Sequence, residues 1–220
     1  SEMEGCVNGD DPADPANSLY RLDVIRVPLA NPEQAAVVTG ARIFTGLAPA
    51  PRRGGNERRP RLSGPRNCHD VTAYPAMNLL AGACASYGLL VDISDPMKPV
   101  RLDAVADTNF SLWHTAVFSN DGSTVMFTDE WGGGTQPMCQ ANSMMEMGGN
   151  TALTISKDRK YTQHAYFKIP TAQSAQENCV SHNGGLVPVP GRDIMVQGWY
   201  QGGVDVIDFS DPDNPVELAY

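Results

Sequence analysis

Three of the four histidines in this chain occupy the same place in similar strings of sequence. His69, His114 and His182 stand second in CHDV, WHTA and SHNG, and each string opens a run typical of a β-strand. If the strings are equivalent units of one repeated structure, their imidazoles converge at one end of it. Imidazole is a common ligand of transition metals, so the pattern predicts a site for a divalent ion, Cu, Zn or Fe. The alternative is a structural role, in which each imidazole bonds the backbone of a neighbouring unit.

Two carboxylates stand side by side in the string TDEWGGG, after the second apolar run of the segment that WHTA opens. If this run forms a strand antiparallel to the strand of His114, its end lies level with this histidine. Asp129 and Glu130 are then near the imidazoles. We include Glu130 with the three histidines in the predicted metal site, as a ligand or as a base acting on bound water. The alternative is that these carboxylates cap the glycine-rich turn that follows. Asp70, beside His69, is a candidate for orienting an imidazole.

A near-repeat indicates the elements that position these residues. Segments 88–102 (GLLVDISDPMKPVRL) and 203–218 (GVDVIDFSDPDNPVEL) each pass from an apolar run into Ser-Asp-Pro, two spacer residues and Pro-Val-x-Leu. A looser version spans residues 19–38. Aspartate caps a turn, the first proline restricts φ, and the second proline opens an edge strand where its missing N–H is harmless. The Asp-Pro segments therefore predict turns without chemistry, and they define the register of the repeat.

Aligned on this register, the chain divides into units of four short antiparallel strands, about 40–50 residues each, which is the pattern of a β-propeller. A β-sandwich is the competing fold, but it does not predict a repeat that preserves register. The sequence predicts one all-β domain with about three full four-stranded blades and part of a fourth. Because such a set does not close a ring, we expect a fragment of a larger ring, completed by blades of the same parent protein or of another chain. The predicted segments are a loop (1–18), a partial blade (19–38), an Arg/Gly/Pro-rich loop (39–67) and three blades (68–112, 113–170 with an insert at 132–150, and 171–220).

Long strings of the chain resemble the LVIVD-type propeller repeat of large secreted or surface-anchored bacterial proteins. They are LYRLDVIRVPLANPEQ, CHDVTAYP, WHTAVFSNDGSTVMFTDEWGGG and NCVSHNGGLVPVPGRDIMVQGWYQGGVDVIDFSDPDNP, and they cover most of the chain. The resemblance implies propeller architecture and export, and it implies no defined activity. A more distant similarity, in architecture and histidine placement, is to selenium-binding-protein and methanethiol-oxidase propellers, which carry metal-binding histidines near the ring axis.

The composition is that of a globular protein. Hydrophobic residues make up 41% of the 220 residues, and no apolar run reaches membrane-spanning length. The net charge of −9 argues against nucleic acid as a partner, because phosphate binding needs a basic face. Arginines cluster within residues 51–66, a segment that we interpret as a solvated loop, with docking of an acidic partner as the alternative.

Five cysteines without a C-x-x-C motif favour disulfides, and hence a secreted, periplasmic or cell-surface protein. Cys68 begins a first strand and Cys84 ends the adjacent strand, so we expect these two to pair. Cys139, in the insert, is expected to pair with Cys179. Cys6 is left for a partner outside this sequence.

Two functions are compatible with these residues. The first is an exported propeller module for binding, adhesion or assembly, with a histidine-lined channel that holds a metal ion. The second is a metal-dependent enzyme, an oxidoreductase or hydrolase, that uses the same histidines and Glu130. The fourth histidine, His164, is predicted to lie on the surface of an outer strand. The methionines of the insert are predicted to pack a loop, with soft Cu(I) ligation as the alternative.

Overall fold

The computed structural model describes residues 7, 9, 11, 13, 14, 16–50 and 67–220, and within them the chain forms short strands joined by turns. Cys6, the arginine-rich segment 51–66 and part of the predicted N-terminal loop lie outside the described residues. None of the helices in the described part has the length or hydropathy to span a bilayer. The strands are β1 (Leu22–Arg26), β2 (Ala36–Ala41), β3 (Asp70–Tyr74), β4 (Leu79–Cys84), β5 (Tyr87–Asp92), β6 (Val100–Val105), β7 (Trp113–Phe118), β8 (Thr124–Asp129), β9 (Asn150–Ile155), β10 (Tyr161–Phe167), β11 (Gly184–Val189), β12 (Arg192–Gly198), β13 (Val204–Asp208) and β14 (Val216–Ala219). The single-turn 3-10 helices are Ser18–Tyr20, Pro32–Gln34, Pro75–Met77, Trp131–Gly133 and Tyr200–Gly202.

From β3 onward, every four consecutive strands form one antiparallel sheet, in which they lie side by side in chain order. We name these sheets sheet 1 (β3–β6), sheet 2 (β7–β10) and sheet 3 (β11–β14); β1 and β2 form a separate two-stranded sheet. The prediction of an all-β chain built from four-stranded antiparallel units is confirmed. The insert lies between β8 and β9, and β2 continues to Ala41, three residues into the segment predicted as a loop.

The Asp-Pro turns have the structure that their sequence predicts. Asp95 accepts a hydrogen bond from the backbone N–H of Met97 at 2.9 Å, and Asp211 accepts the equivalent bond from Asp213 at 3.0 Å. Each aspartate thereby closes a turn onto the backbone two residues further on. The two near-repeats therefore serve as equivalent connections, from β5 to β6 and from β13 to β14.

Apolar layers hold neighbouring sheets together, and sheet 2 is the middle layer. Because side chains alternate along a strand, β8 directs Phe127 into the core shared with sheet 1 and Met126 into the core shared with sheet 3. All residues of β7 and β8 are buried. A third apolar layer joins sheet 1 to the residues that follow β2, where Ile43 and Phe44 are buried. Side chains at the start of β7 consequently lie in the interior.

Sheet 3 presents an apolar face that no other part of the described chain covers. Val196 and Val204 are exposed there, as is Val216, whereas the opposite face packs Met195 and Ile207 against sheet 2. Cysteine pairs fasten two other regions: Cys68 is bonded to Cys84, and Cys139 to Cys179, as the sequence predicted. The second pair attaches the insert to the segment that precedes β11.

Candidate metal centre

The first strands of the three sheets lie side by side, with β7 between β3 and β11. His114 is the second residue of β7, His69 immediately precedes β3, and His182 lies two residues before β11. The ring centroids of His69 and His114 are 3.7 Å apart, and those of His114 and His182 are 4.5 Å apart. The structure thus brings the three predicted histidines together in one stack at one end of these strands.

A β-bulge in β7 accompanies the placement of His114. Between Trp113 and Ala116, β7 has one residue more than β8, so that His114 and Thr115 together lie opposite Thr128. The backbone N–H of Thr115 donates to Oγ1 of Thr128 at 3.0 Å, which provides the partner that the interrupted ladder lacks. A bulge changes the direction of the side chains around it and is frequent beside functional sites.

Glu130 directly follows β8 and faces the stack of imidazoles. Its Oε2 lies 3.6 Å from Nε2 of His114, and its Oε1 lies 3.5 Å from Nε2 of His182. Glu130 is 7% exposed and His114 is 1% exposed, whereas the side chain of His182 is 33% exposed. His69 is exposed. The cluster therefore has a buried floor, formed by one carboxylate and one imidazole, and a rim that solvent reaches.

Hydrogen bonds on the far side of His114 determine its tautomer. Oγ1 of Thr115 donates to Oδ1 of Asn183 at 3.0 Å, so this hydroxyl oxygen accepts from Nδ1–H of His114 at 2.8 Å. With the proton on Nδ1, Nε2 of His114 presents its lone pair to Glu130. Burial, together with the neighbouring imidazoles of His69 and His182, lowers the pKa of His114 to about 3. At neutral pH an imidazole lone pair and a carboxyl group thus face each other in the interior.

His69, His114 and Glu130 fit a metal ion. Their ligand atoms all lie within 4.8 Å of one another. Ligand atoms bound to one Zn²⁺ ion at 2.0–2.2 Å lie about 3.4 Å apart. The separations of Glu130 from His114 and His182, 3.6 and 3.5 Å, are close to this value. A set of imidazoles with one carboxylate suits Zn, Cu and Fe.

Tyr200 belongs to the cluster and was missed by the sequence analysis. Its hydroxyl donates a hydrogen bond to Oε1 of Glu130, and its ring centroid lies 4.5 Å from that of His182. Its backbone has a φ of 52°, which is uncommon for a bulky residue, and a side chain on Gly134 would collide with its hydroxyl. Burial and the bond to Glu130 raise the pKa of Tyr200 well above its ordinary value. The reasoning that placed Glu130 beside the histidines, applied to the end of β12, would have found it.

Asp129 has a different role from Glu130. It is fully buried, and it accepts hydrogen bonds from the backbone N–H groups of Ser111, Leu112 and Gly148, each at 2.8 Å. These bonds attach the loop before β7 and the end of the insert to the end of β8. Burial raises the pKa of Asp129 to about 7, against the effect of the three donors. Asp129 thus fastens the loop before β7 and the end of the insert rather than capping the glycine-rich turn that follows it, and Glu130 is the carboxylate that faces the imidazoles.

The remaining predicted residues lie beside the cluster or away from it. Asp70 lines a cavity of about 230 Å³ between the three first strands, and the hydrogen-bond partner of the His114 imidazole is Thr115 rather than Asp70. His164 lies in β10, the outermost strand of sheet 2, where Nδ1 is 2.8 Å from a carboxylate oxygen of Asp213. The three tryptophans are buried, as expected for side chains that pack between sheets: Trp113, Trp131 and Trp199.

A buried carboxylate supports the segment that carries Tyr200. Nε1 of Trp199 donates to Oδ1 of Asp205 at 2.9 Å, and Asp205 is 1% exposed. Burial raises the pKa of Asp205 to about 6 from 3.8, and the nearby charge of Glu217 acts in the same direction. The folded state therefore binds a proton at Asp205 more tightly than the unfolded state does.

Replacing Asp205 with asparagine is expected to stabilise the protein at pH 7. The stability that protonation of Asp205 contributes is fully present below pH 3.8 and is lost as the pH rises from there through about 6. Asparagine mimics the protonated form, so the free energy of unfolding should increase by about 1–3 kcal/mol at pH 7 and change little at pH 4. Urea denaturation at the two pH values measures this. Asp208→Asn is the control from the same strand: it weakens the 2.6 Å ion pair with Arg192 and should lower stability at pH 7, whereas a loss of stability in Asp205→Asn would contradict the prediction.

No family model matches the chain, and no curated protein matches it in sequence. Solved structures do match it. A crystal structure of a protein from Lactobacillus plantarum superposes with a TM-score of 0.59 at 12% sequence identity, over 91% of this chain and 50% of that one. The fold is β-propeller-like. Sheets 1 to 3 are its blades, and closure of the propeller is not seen among the described residues. The chain spans half the length of this neighbour, and membership of the LVIVD family stays a prediction.

Proposed function

We propose that this propeller-like chain binds a divalent transition metal ion, Cu, Zn or Fe, through His69, His114 and Glu130, with His182 at the rim of the site. One observation carries the proposal: Nδ1 of the buried His114 is bonded to Thr115, and its other ring nitrogen, Nε2, lies 3.6 Å from the buried Glu130. A cation between two such groups satisfies both of them. The structural alternative predicts a bond from each imidazole to the backbone of a neighbouring unit, and the bond of His114 goes to a side chain, that of Thr115.

The biological role that we propose is that of an exported module for binding, adhesion or assembly. The two cysteine pairs support an oxidising compartment. The exposed valines of sheet 3 support a partner on that face, because the corresponding apolar side chains of sheet 2 are covered by sheet 1. We propose that this partner is a further blade, supplied by the same parent protein or by another chain.

Metal analysis of the native protein tests the metal site. The metal-free protein is then titrated with Zn²⁺ and with Co²⁺, whose visible spectrum reports the coordination. We expect one equivalent to bind. Free metal at 100 times its Kd should stabilise the protein by about 2.7 kcal/mol. A chain that neither carries metal nor binds Zn²⁺ or Co²⁺ would contradict the proposal.

A metal-dependent enzyme is the second candidate, and the open rim of the cluster favours it. His69 and Tyr200 are exposed, so a ligand bound on this side would exchange with solvent. A metal ion with an open position acts as a Lewis acid toward water or a substrate. The hydroxyl of Tyr200 stays protonated at neutral pH and donates its proton to Glu130, so it orients this carboxylate beside the open side of the cluster.

Tyr200→Phe is expected to weaken Zn²⁺ binding about tenfold, since it keeps the ring against His182 and removes the hydroxyl that orients Glu130. Isothermal titration with Zn²⁺ measures the affinity, and thermal unfolding of the metal-free protein should show little change. Tyr87→Phe is the matched control, because the Tyr87 hydroxyl bonds the Ala48 carbonyl at 3.0 Å in another part of the molecule. Wild-type affinity in Tyr200→Phe would show that the hydroxyl does not orient the ligand. If a metal-dependent activity is found, and if Tyr200→Phe lowers it by a larger factor than it lowers the Zn²⁺ affinity, the enzyme is favoured.

A further inference from the structure

The insert between β8 and β9 concentrates sulfur. It contains four of the nine methionines of the chain, all within residues 138–147. Three of them, Met138, Met144 and Met147, line one cavity of about 340 Å³ together with the indole of Trp131. The other lining residues are amides, a serine and a proline, so no charged side chain borders the cavity. Thioethers are therefore the strongest metal-ligating groups of this lining.

Met147 is buried with Trp131 and Val180 in a small apolar cluster, against which Met138 and Met144 pack, and these two differ in exposure from the methionines between the sheets. Met126 and Met195 are fully buried and pack between sheets, whereas Met138 and Met144 are half-buried and border open space. Methionine that serves as a filler closes the gap beside it, because its unbranched side chain adapts to irregular spaces. A cavity that remains open beside three adaptable side chains has the volume of a small ligand site.

The insert is held firmly around this cavity. Cys139 is bonded to Cys179, and Nζ of Lys168 donates to the carbonyl oxygen of Met144 at 2.7 Å. At the end of the insert, the backbone N–H of Gly148 donates to the buried Asp129 at 2.8 Å. The cavity is thus fastened to the body of the protein at several points, and the backbone positions of its methionines are defined.

We infer that this cavity binds a soft monovalent metal ion, Cu(I) or its redox-inert analogue Ag(I). Thioether sulfur is a soft ligand that selects Cu(I), whereas the hard cations Mg²⁺ and Ca²⁺ require the carboxylates that this lining lacks. The rotatable bonds of methionine allow the sulfur atoms to converge on one ion. The site is separate from the imidazole cluster, so the inference does not depend on the proposed function.

Titration with Ag(I) tests the inference on the full chain. Every protein carries Cys6→Ser, because a thiol outside the two cysteine pairs would compete for the ion. We expect one equivalent of Ag(I) that persists in His114→Ala and is lost in the double variant Met138→Leu/Met144→Leu. Leucine conserves volume and apolar character, so the double variant should fold, and thermal unfolding checks this.

Met145→Leu is the matched control, since Met145 belongs to the same insert, is 53% exposed and does not line the cavity. Its Ag(I) binding should equal that of the parent. If the double variant fails to fold, the single variants Met138→Leu and Met144→Leu decide, each with an expected loss of affinity of about tenfold or more. Undiminished binding in the methionine variants, or loss of the equivalent in His114→Ala, would overturn the inference.

Discussion

Replacing His114 with alanine is expected to remove Zn²⁺ binding from the chain. His114 is the most deeply buried of the candidate ligands, its neutral form is favoured by burial, and its Nε2 already faces Glu130. Loss of an outer hydrogen-bond partner of a ligand costs about 10–100-fold in metal affinity, and loss of the ligand itself should exceed the upper end of that range. Isothermal titration of the metal-free protein with Zn²⁺, supported by the Co²⁺ spectrum, measures the effect.

His164→Ala provides the control for this experiment. Its imidazole also lies 2.8 Å from a carboxylate oxygen, that of Asp213, but it belongs to the outermost strand of sheet 2. Zn²⁺ affinity should therefore remain at the wild-type level in this variant. If His114→Ala binds Zn²⁺ as tightly as the wild type and loses only stability, the stacked histidines have a structural role. If His164→Ala loses the ion, the metal site lies on the outer strand.

The four-stranded units could be predicted because the strand signals and the turn signals agree with one another. The segments that contain Asp95 and Asp211 have the same order of apolar run, aspartate and prolines, and the structure closes the two turns with the same bond. Strands and turns can be predicted from a sequence when the local preferences of its segments agree with the global fold. The prediction that the three histidines occupy equivalent positions was based on the register of this repeat alone.

The chemistry of the cluster could not be predicted in the same way. The tautomer of His114 depends on Thr115 and on Asn183, which is 68 residues away from Thr115 in the chain, and the orientation of Glu130 depends on Tyr200, 70 residues away. Such contacts arise where two sheets pack, and strand periodicity does not encode them. The bulge at His114 was also invisible to the sequence analysis, because an extra residue in β7 leaves the apolar pattern on either side intact.

Loss of the Asp129 carboxylate is expected to reduce stability, whereas loss of the adjacent Glu130 carboxylate is expected to reduce metal binding. Asp129→Asn should lower the free energy of unfolding by about 1–3 kcal/mol, because its NH₂ group would face a backbone donor that the carboxyl group now satisfies. Asp205 differs, since only one of its two oxygens has a hydrogen-bond partner, so an amide fits there. Glu130→Gln should change stability little and weaken Zn²⁺ binding strongly, since Glu130 faces His114 and His182 rather than the backbone. Urea denaturation of the metal-free proteins and Zn²⁺ titration measure the two effects.

The pair is its own control, because both substitutions replace a carboxylate by the amide of the same shape at neighbouring positions. Asp129 is the last residue of β8 and accepts a hydrogen bond from the loop before β7. Glu130 lies just beyond the strand and faces the imidazoles. If the metal site includes both carboxylates, the two variants should lose Zn²⁺ binding equally. If neither variant loses it, the ion is held by imidazoles alone. A loss of stability confined to Asp129→Asn, together with a loss of affinity confined to Glu130→Gln, is the outcome that the hydrogen bonds require.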